Sequence, residues 1–168
     1  MFQLAGKVWL TDPVFSEFIT PYEWMGWKRF HPAPIDIKEL DQIEGIIISH
    51  DHYDHLDEDV IVKLKDKVNH FIVPLGVGKR LADWGVPTHK ITSLDWWEST
   101  KVGEVEFIST PAQHFSGRTP FDRAETLWSS WVVCANGKSL YFSGDSGYFD
   151  GFKKIGEKYG PFDITFME

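Results

Sequence analysis

A single cysteine, Cys134, is all the thiol chemistry this 168-residue chain has, so no internal disulfide can staple it. That suits a reducing compartment, and Val132 and Val133 beside the thiol mark a buried strand position. No apolar run is long enough to span a bilayer, and the first seven residues, Met1 to Lys7, lack the apolar stretch of a signal peptide. A cytoplasmic location is the expectation. Positive charge is scarce as well. Seventeen lysines and arginines face twenty-five acidic residues, a net charge of −8, which excludes nucleic acid and an anionic membrane surface as partners held by charge alone. Any anion must be drawn locally. Apolar residues, at 42 %, are plentiful enough for a sizeable core in a chain of this length, so residues 1–168 are expected to form one domain.

Histidine is distributed unevenly. Three of the seven histidines fall within six residues, in Ser49-His50-Asp51-His52-Tyr53-Asp54-His55-Leu56-Asp57, directly after the apolar run Gly45-Ile46-Ile47-Ile48. A strand that ends in such a cluster aims several ligands at one point. Imidazole and carboxylate together suit zinc, manganese or iron(II), whereas calcium or magnesium would be held by oxygen alone.

Period and punctuation place the remaining elements. Lys7 to Leu10 reads as a strand that delivers Thr11-Asp12-Pro13, and Asp57 is suited to cap a helix running to about Val68. Strands are expected at His70–Pro74, Lys90–Leu94 and Val105–Ser109, with a short helix from Gly78 to Trp84 closed by Gly85. Asn136-Gly137 signals a hairpin joining Leu127–Cys134 to Ser139–Phe142. A helix over Asp150–Tyr159 and a strand over Phe162–Met167 complete an α/β pattern. Between the first strand and the histidine cluster lies a loop with Pro21, Pro32, Pro34, Phe15, Phe18, Tyr22, Trp24, Trp27 and Phe30, which reads as an aromatic segment folded back on the domain. Within it, Lys28-Arg29 reads as solvated surface. His70 and His89 stand apart from the cluster and read as structural or exposed. Arg118 and Arg123 carry guanidinium groups that can receive a phosphate by bidentate bonds, and Arg118 is the expected substrate contact.

The motif His-x-His-x-Asp-His at 50–55 resembles that of the metallo-β-lactamase superfamily, mostly metal-dependent hydrolases on an αββα sandwich. Leu10–Ser16, the Trp96-Trp97 pair, Pro111-Ala112-Gln113-His114-Phe115 and Phe142–Tyr148 are similar, in matching order, to the branch containing N-acylphosphatidylethanolamine-hydrolysing phospholipase D. The resemblance implies a first metal ion on His50, His52 and His114, and a second on Asp54, His55 and a bridging Asp145. It implies that Asp12 supports the ligands from behind. Two divalent ions are expected, zinc first, with manganese or iron(II) as alternatives. They would supply a shared hydroxide as nucleophile at neutral pH, with Asp54 both ligand and catalytic residue. The implied reaction is hydrolysis of a phosphodiester, with a lactone or other ester as the nearer alternative. The substrate would be a small or lipid-like molecule met without a transmembrane segment, through peripheral membrane contact at most. Gly144-Asp145-Ser146-Gly147 is also similar to the nucleophile motif of chymotrypsin-like proteases, but position 148 is Tyr, not Gly, and no matching histidine motif precedes it.

The chain departs from the superfamily pattern at both ends. No histidine follows Asp145, where the superfamily has a further ligand, and few residues precede Lys7. The expectation is therefore an incomplete sandwich that lacks its C-terminal part, as a fragment or a natural truncation. An open strand edge at Phe162–Met167 would then invite a homodimer. A catalytically weak remnant that acts by binding a metal or a partner is the reading from a different class.

Overall fold

The computed structural model describes residues 1–20 and 28–168. Pro21, Tyr22, Trp24 and Trp27 of the expected aromatic segment lie outside the described residues. Two five-stranded sheets organise the rest. The first holds, in spatial order, β1 (Phe2–Leu4), β2 (Lys7–Thr11), β3 (Ile43–Ile47), β4 (Val68–Pro74) and β5 (Ile91–Leu94). β1 pairs antiparallel with β2, and β2 to β5 run parallel. The second sheet contains β6 (Ser99–Val102), β7 (Val105–Thr110), β8 (Ser130–Ala135), β9 (Lys138–Phe142) and β10 (Ile164–Phe166). Its order is β10-β9-β8-β7-β6, antiparallel except for the β10–β9 pair.

Alternation along the strands produces the layers. Ile46, Ile48, Phe71 and Val73 face the helices α1 (Glu58–Leu64) and α2 (Val77–Asp83), whose Val60, Ile61, Leu64, Val77 and Leu81 complete one core. Ile47 and Ile72, of opposite parity, join Trp9, Phe107, Trp131, Val133 and Leu140 in a second core between the sheets. Ile108, Val132 and Tyr141 meet Ile155 of α3 (Gly151–Tyr159) on the outer face of the second sheet. The result is the expected αββα order. Strands buried on both faces explain why residues 45–48 read as a continuous apolar run rather than an alternating one.

Several boundaries differ from the sequence expectation. Asp57 does cap α1, its Oδ1 accepting from the Val60 amide at 3.2 Å, but the helix ends at Leu64. Val68, expected on the same helical face, instead opens β4 opposite Ile43. Burial satisfies that residue equally well as a strand, so period alone could not place it. β8 begins at Ser130 rather than Leu127, because the Leu127 and Ser129 amides bond outside the ladder, to the carbonyls of Leu75 and Ser49. The residues before Lys7, expected to hold little, form β1 through a turn in which Ala5 and Gly6 both take positive φ. β6 had no distinct signal. Among the described residues, β10 pairs with β9 alone.

The ring of Trp9 packs 4.8 Å from that of Phe107 and fills the space above Gly45, where an added Cβ would lie 2.6 Å from the indole. Gly45→Ala therefore overpacks the layer between the sheets. A loss of about 1–3 kcal/mol is expected from such a clash, read as a lower urea midpoint with unchanged m-value.

Candidate metal centre

Four strand ends converge on one point. β2 delivers Asp12, β3 runs into the 49–57 loop, β7 leads to His114, and β9 leads to Asp145. Three ties hold these loops together. The Trp131 indole donates to the Ile48 carbonyl at 2.9 Å, the Ser129 amide to Ser49 at 2.8 Å, and the Gly147 amide to Gln113 at 3.0 Å. Trp96, expected only as part of a motif, donates from Nε1 to the Trp128 carbonyl at 2.6 Å. Trp128 in turn donates to Ala112 at 2.9 Å, two residues before His114.

Three imidazole nitrogens meet at the centre. His50 Nε2 lies 2.9 Å from His52 Nδ1, and His114 Nε2 lies 3.2 Å from each of them. A tetrahedral ion with nitrogen bonds of about 2.0–2.1 Å would require nitrogens separated by about 3.3 Å. The donor set fits. Burial, joined by the neighbouring histidines, pushes His50 far below the ordinary imidazole range. His52 and His114 are also lowered by burial, against opposing pulls from nearby carboxylates. All three are thereby held neutral, as ligation demands.

A second group lies alongside. His55 Nε2 is 2.8 Å from Asp145 Oδ1 and 3.9 Å from Asp54 Oδ2, while Asp145 Oδ2 is 3.7 Å from His114 Nε2. Asp145 thus presents one carboxylate oxygen to each group. Burial opposes a charge on His55, but its hydrogen bonds to the carboxylates of Asp12 and Asp145 outweigh burial and raise its pKa to about 10. The Asp145 carboxyl is lowered by the His55 contact in spite of burial.

Asp12 sits behind both groups. Its backbone is left-handed, φ 38°, a conformation aspartate tolerates better than most residues. Oδ1 accepts from the Ser49 amide at 2.7 Å, and Oδ2 accepts from Ser49 Oγ and, at 2.7 Å, from His55 Nδ1. Ser49 Oγ spends its one proton on Asp12, so at 2.9 Å it accepts from His50 Nδ1. Both histidines are therefore held with Nδ1 protonated and Nε2 facing the centre. This explains why the group Asp12, His50 and His55, which is also close enough to hold an ion, is better satisfied by hydrogen bonds. Ser49 had no assigned role in the sequence reading, and its place beside the motif was the available signal.

Arg118 is engaged with the ligand loop itself. Its Nη1 donates to the carbonyls of Asp51 at 2.9 Å and Leu56 at 2.7 Å, and its guanidinium lies 3.9 Å from the centre of the Tyr53 ring. It also lines a cavity of about 400 Å³ with Phe18, Ile19, Tyr53 and Glu58. Arg123, by contrast, lies over the Phe115 ring, whose centre is 4.8 Å from those of His52 and His114. Lys28 pairs with Glu17 and Arg29 donates to the Val14 carbonyl, which ties both to the segment 14–17. His70 and His89 lie outside all three groups.

The family model described as the beta-lactamase superfamily domain matches residues 8–168. The chain belongs to that superfamily. A protein of Mycobacterium tuberculosis is 44 % identical over 168 residues, covering 99 % of this chain and 45 % of its own length. N-acyl-phosphatidylethanolamine-hydrolyzing phospholipase D 1 of Caenorhabditis elegans is 39 % identical, covering 96 % of this chain and 48 % of its own. The chain thus spans about half the length of these curated relatives. Among solved structures, CmlA, a diiron β-hydroxylase from Streptomyces venezuelae, superposes with a TM-score of 0.71 at 20 % identity, over 97 % of this chain and 31 % of its own. No helix among the described residues is long and apolar enough to cross a membrane.

Gly144, just before Asp145, has φ 54°, and a Cβ there would stand 2.5 Å from Ser49 Cβ. Gly144→Ala should push Ser49 off Asp12 and unfasten His50. The metal-free protein is expected to lose about 2–4 kcal/mol, from overpacking together with left-handed backbone strain, read by thermal unfolding.

Proposed function

We propose that the chain carries the dinuclear centre of a hydrolase whose substrate is a phosphodiester of the N-acylphosphatidylethanolamine kind. The observation that carries this reading is Asp145, with one oxygen at the three-histidine group and the other at His55. His50, His52 and His114 would hold one ion, and Asp54, His55 and Asp145 the other. When bound, the ions would polarise a phosphoryl oxygen and bring the pKa of water towards neutrality.

The chain's own residues do the rest. Ser49 and Asp12 hold the Nδ1 protons of His50 and His55, which leaves Nε2 as the nitrogen facing the centre; His55, with its pKa raised to about 10, would have to give up its Nε2 proton to hold an ion. Asp54, with 48 % of its side chain exposed, is the carboxylate with open access and is placed to orient water and take its proton. The cavity beside Tyr53 has the volume of a small-molecule subsite; Phe18, Ile19 and Leu56 supply its apolar part, while Glu17, Asp57, Glu58 and Asp59 stand with Arg118 in its lining, so any anionic group would have to sit at the Arg118 end. Arg118 Nη1 is engaged by the loop carbonyls, so an anionic group there would be met by the remaining N–H groups of the guanidinium. The 39 % identity to the nematode phospholipase supports the phosphodiester over a lactone or other ester. Zinc suits a nitrogen-rich group; iron is the metal of the CmlA fold neighbour.

Elemental analysis of protein purified without added metal or chelator is the direct test, paired with turnover of an N-acylphosphatidylethanolamine and of a lactone. Two ions per chain and cleavage of the phosphodiester are expected. His52→Ala should lower turnover by at least about 100-fold, beyond the 10–100-fold typical of outer-shell partners. Asp54→Asn should cut turnover while the three-histidine group still binds metal. One ion with no turnover of either substrate would sink the dinuclear reading, and selective lactone cleavage would replace the substrate.

A further inference from the structure

The side chain between the paired histidines belongs to neither group of ligands. Asp51 is wholly buried, and its carboxylate is bonded to Arg80 and to the Gly117 amide. Its Oδ1 accepts from the Gly117 amide at 2.7 Å and its Oδ2 from Arg80 Nε at 2.9 Å. Arg80 reaches in from α2 and donates through Nη2 to Asp122 at 2.6 Å. The other oxygen of Asp122 accepts from the amides of Arg118 at 3.0 Å and Thr119 at 2.7 Å, and from the Thr119 hydroxyl at 2.9 Å. Arg118 closes the circuit by donating to the Asp51 and Leu56 carbonyls.

This network joins two loops that approach the centre from different sheets. One follows β3 and carries His50, His52, Asp54 and His55. The other follows β7 and carries His114, three residues before Gly117. We propose that the Asp51–Arg80–Asp122 network is the positioning device that sets His114 against His50 and His52, and that affinity for the ion on those three histidines depends on it. The inference rests on the reading that the three histidines hold a metal ion.

The physical reason is the distance tolerance of the site. The three nitrogens stand 2.9–3.2 Å apart on separate loops, and an ion of fixed bond length resists even a fraction of an ångström of drift. A buried carboxylate has no water to fall back on, so its partners define where the loop can sit. Arginine is suited to this, because its planar fork donates in two directions at once, to Asp51 through Nε and to Asp122 through Nη2. Lysine keeps the charge and loses the fork.

The test is zinc affinity by competition with a chromophoric chelator, together with the visible spectrum of the cobalt(II)-substituted protein. Both are measured on the wild type, Arg80→Lys, Asp51→Asn and Asp122→Asn. Val105→Ala, in the core at the start of β7, opposite the end that leads to His114, serves as a control destabilised away from the network. Arg80→Lys and Asp51→Asn are expected to weaken zinc by about 10–100-fold and to alter the cobalt spectrum, while Val105→Ala leaves both unchanged. Asp122→Asn, at the outer end of the network, should give a smaller loss and is the decisive variant if the buried substitutions prevent folding. Wild-type affinity and spectrum in the folded variants would overturn the proposal, as would an equal loss in Val105→Ala. A wild type that takes up no zinc would instead bring down the metal reading beneath it.

Discussion

Three imidazole nitrogens held about 3 Å apart cannot satisfy one another. Once each ring is neutral, a hydrogen bond between any two leaves the third with a lone pair facing its neighbours, and protonating a second ring adds repulsion. Burial lowers all three pKa values and closes the protonated route. A cation resolves the conflict, because it accepts three lone pairs at once. The surrounding structure works to keep these nitrogens together despite that cost.

The αββα architecture supplies the force. Parallel strands of the first sheet end at Asp12 and Ser49, and strands of the second lead to His114 and Asp145, so the ligands gather where the ends of both sheets meet. The core between the sheets, built on Trp9, Phe107 and Trp131, sets the separation of those ends. Trp131 serves twice, filling that core and donating its indole proton to the last carbonyl of the apolar run before the ligands. Hydrogen bonds then replace packing at the centre itself, where Asp12 and Ser49 determine which nitrogen of His50 and His55 faces inward.

The ligand loop was legible because its density of histidine is rare and its chemistry is local. His114 and Asp145 were legible only through resemblance, since a single histidine or a Gly-Asp-Ser-Gly turn has many uses. Asp51 was not legible. It reads as one more acidic residue in an acidic chain, and its partner Arg80 lies twenty-nine positions away on an ordinary short helix. Arg118 shows the converse limit: its residue type announces anion binding, but two backbone carbonyls of the ligand loop occupy its Nη1. Val68 shows it for secondary structure, because a buried apolar residue fits the face of a helix and the start of a strand alike.

By itself, the sequence determined the class of fold, the strand that ends in ligands and the kind of metal those ligands suit. These follow from period, turn chemistry and residue type over short stretches. Tertiary structure alone decided which nitrogens converge, how near Asp145 comes to each group and which charges hold the loops in register. Those outcomes depend on distances between residues twenty-nine to ninety positions apart, and such distances are set by packing of the two sheets, which no local pattern encodes.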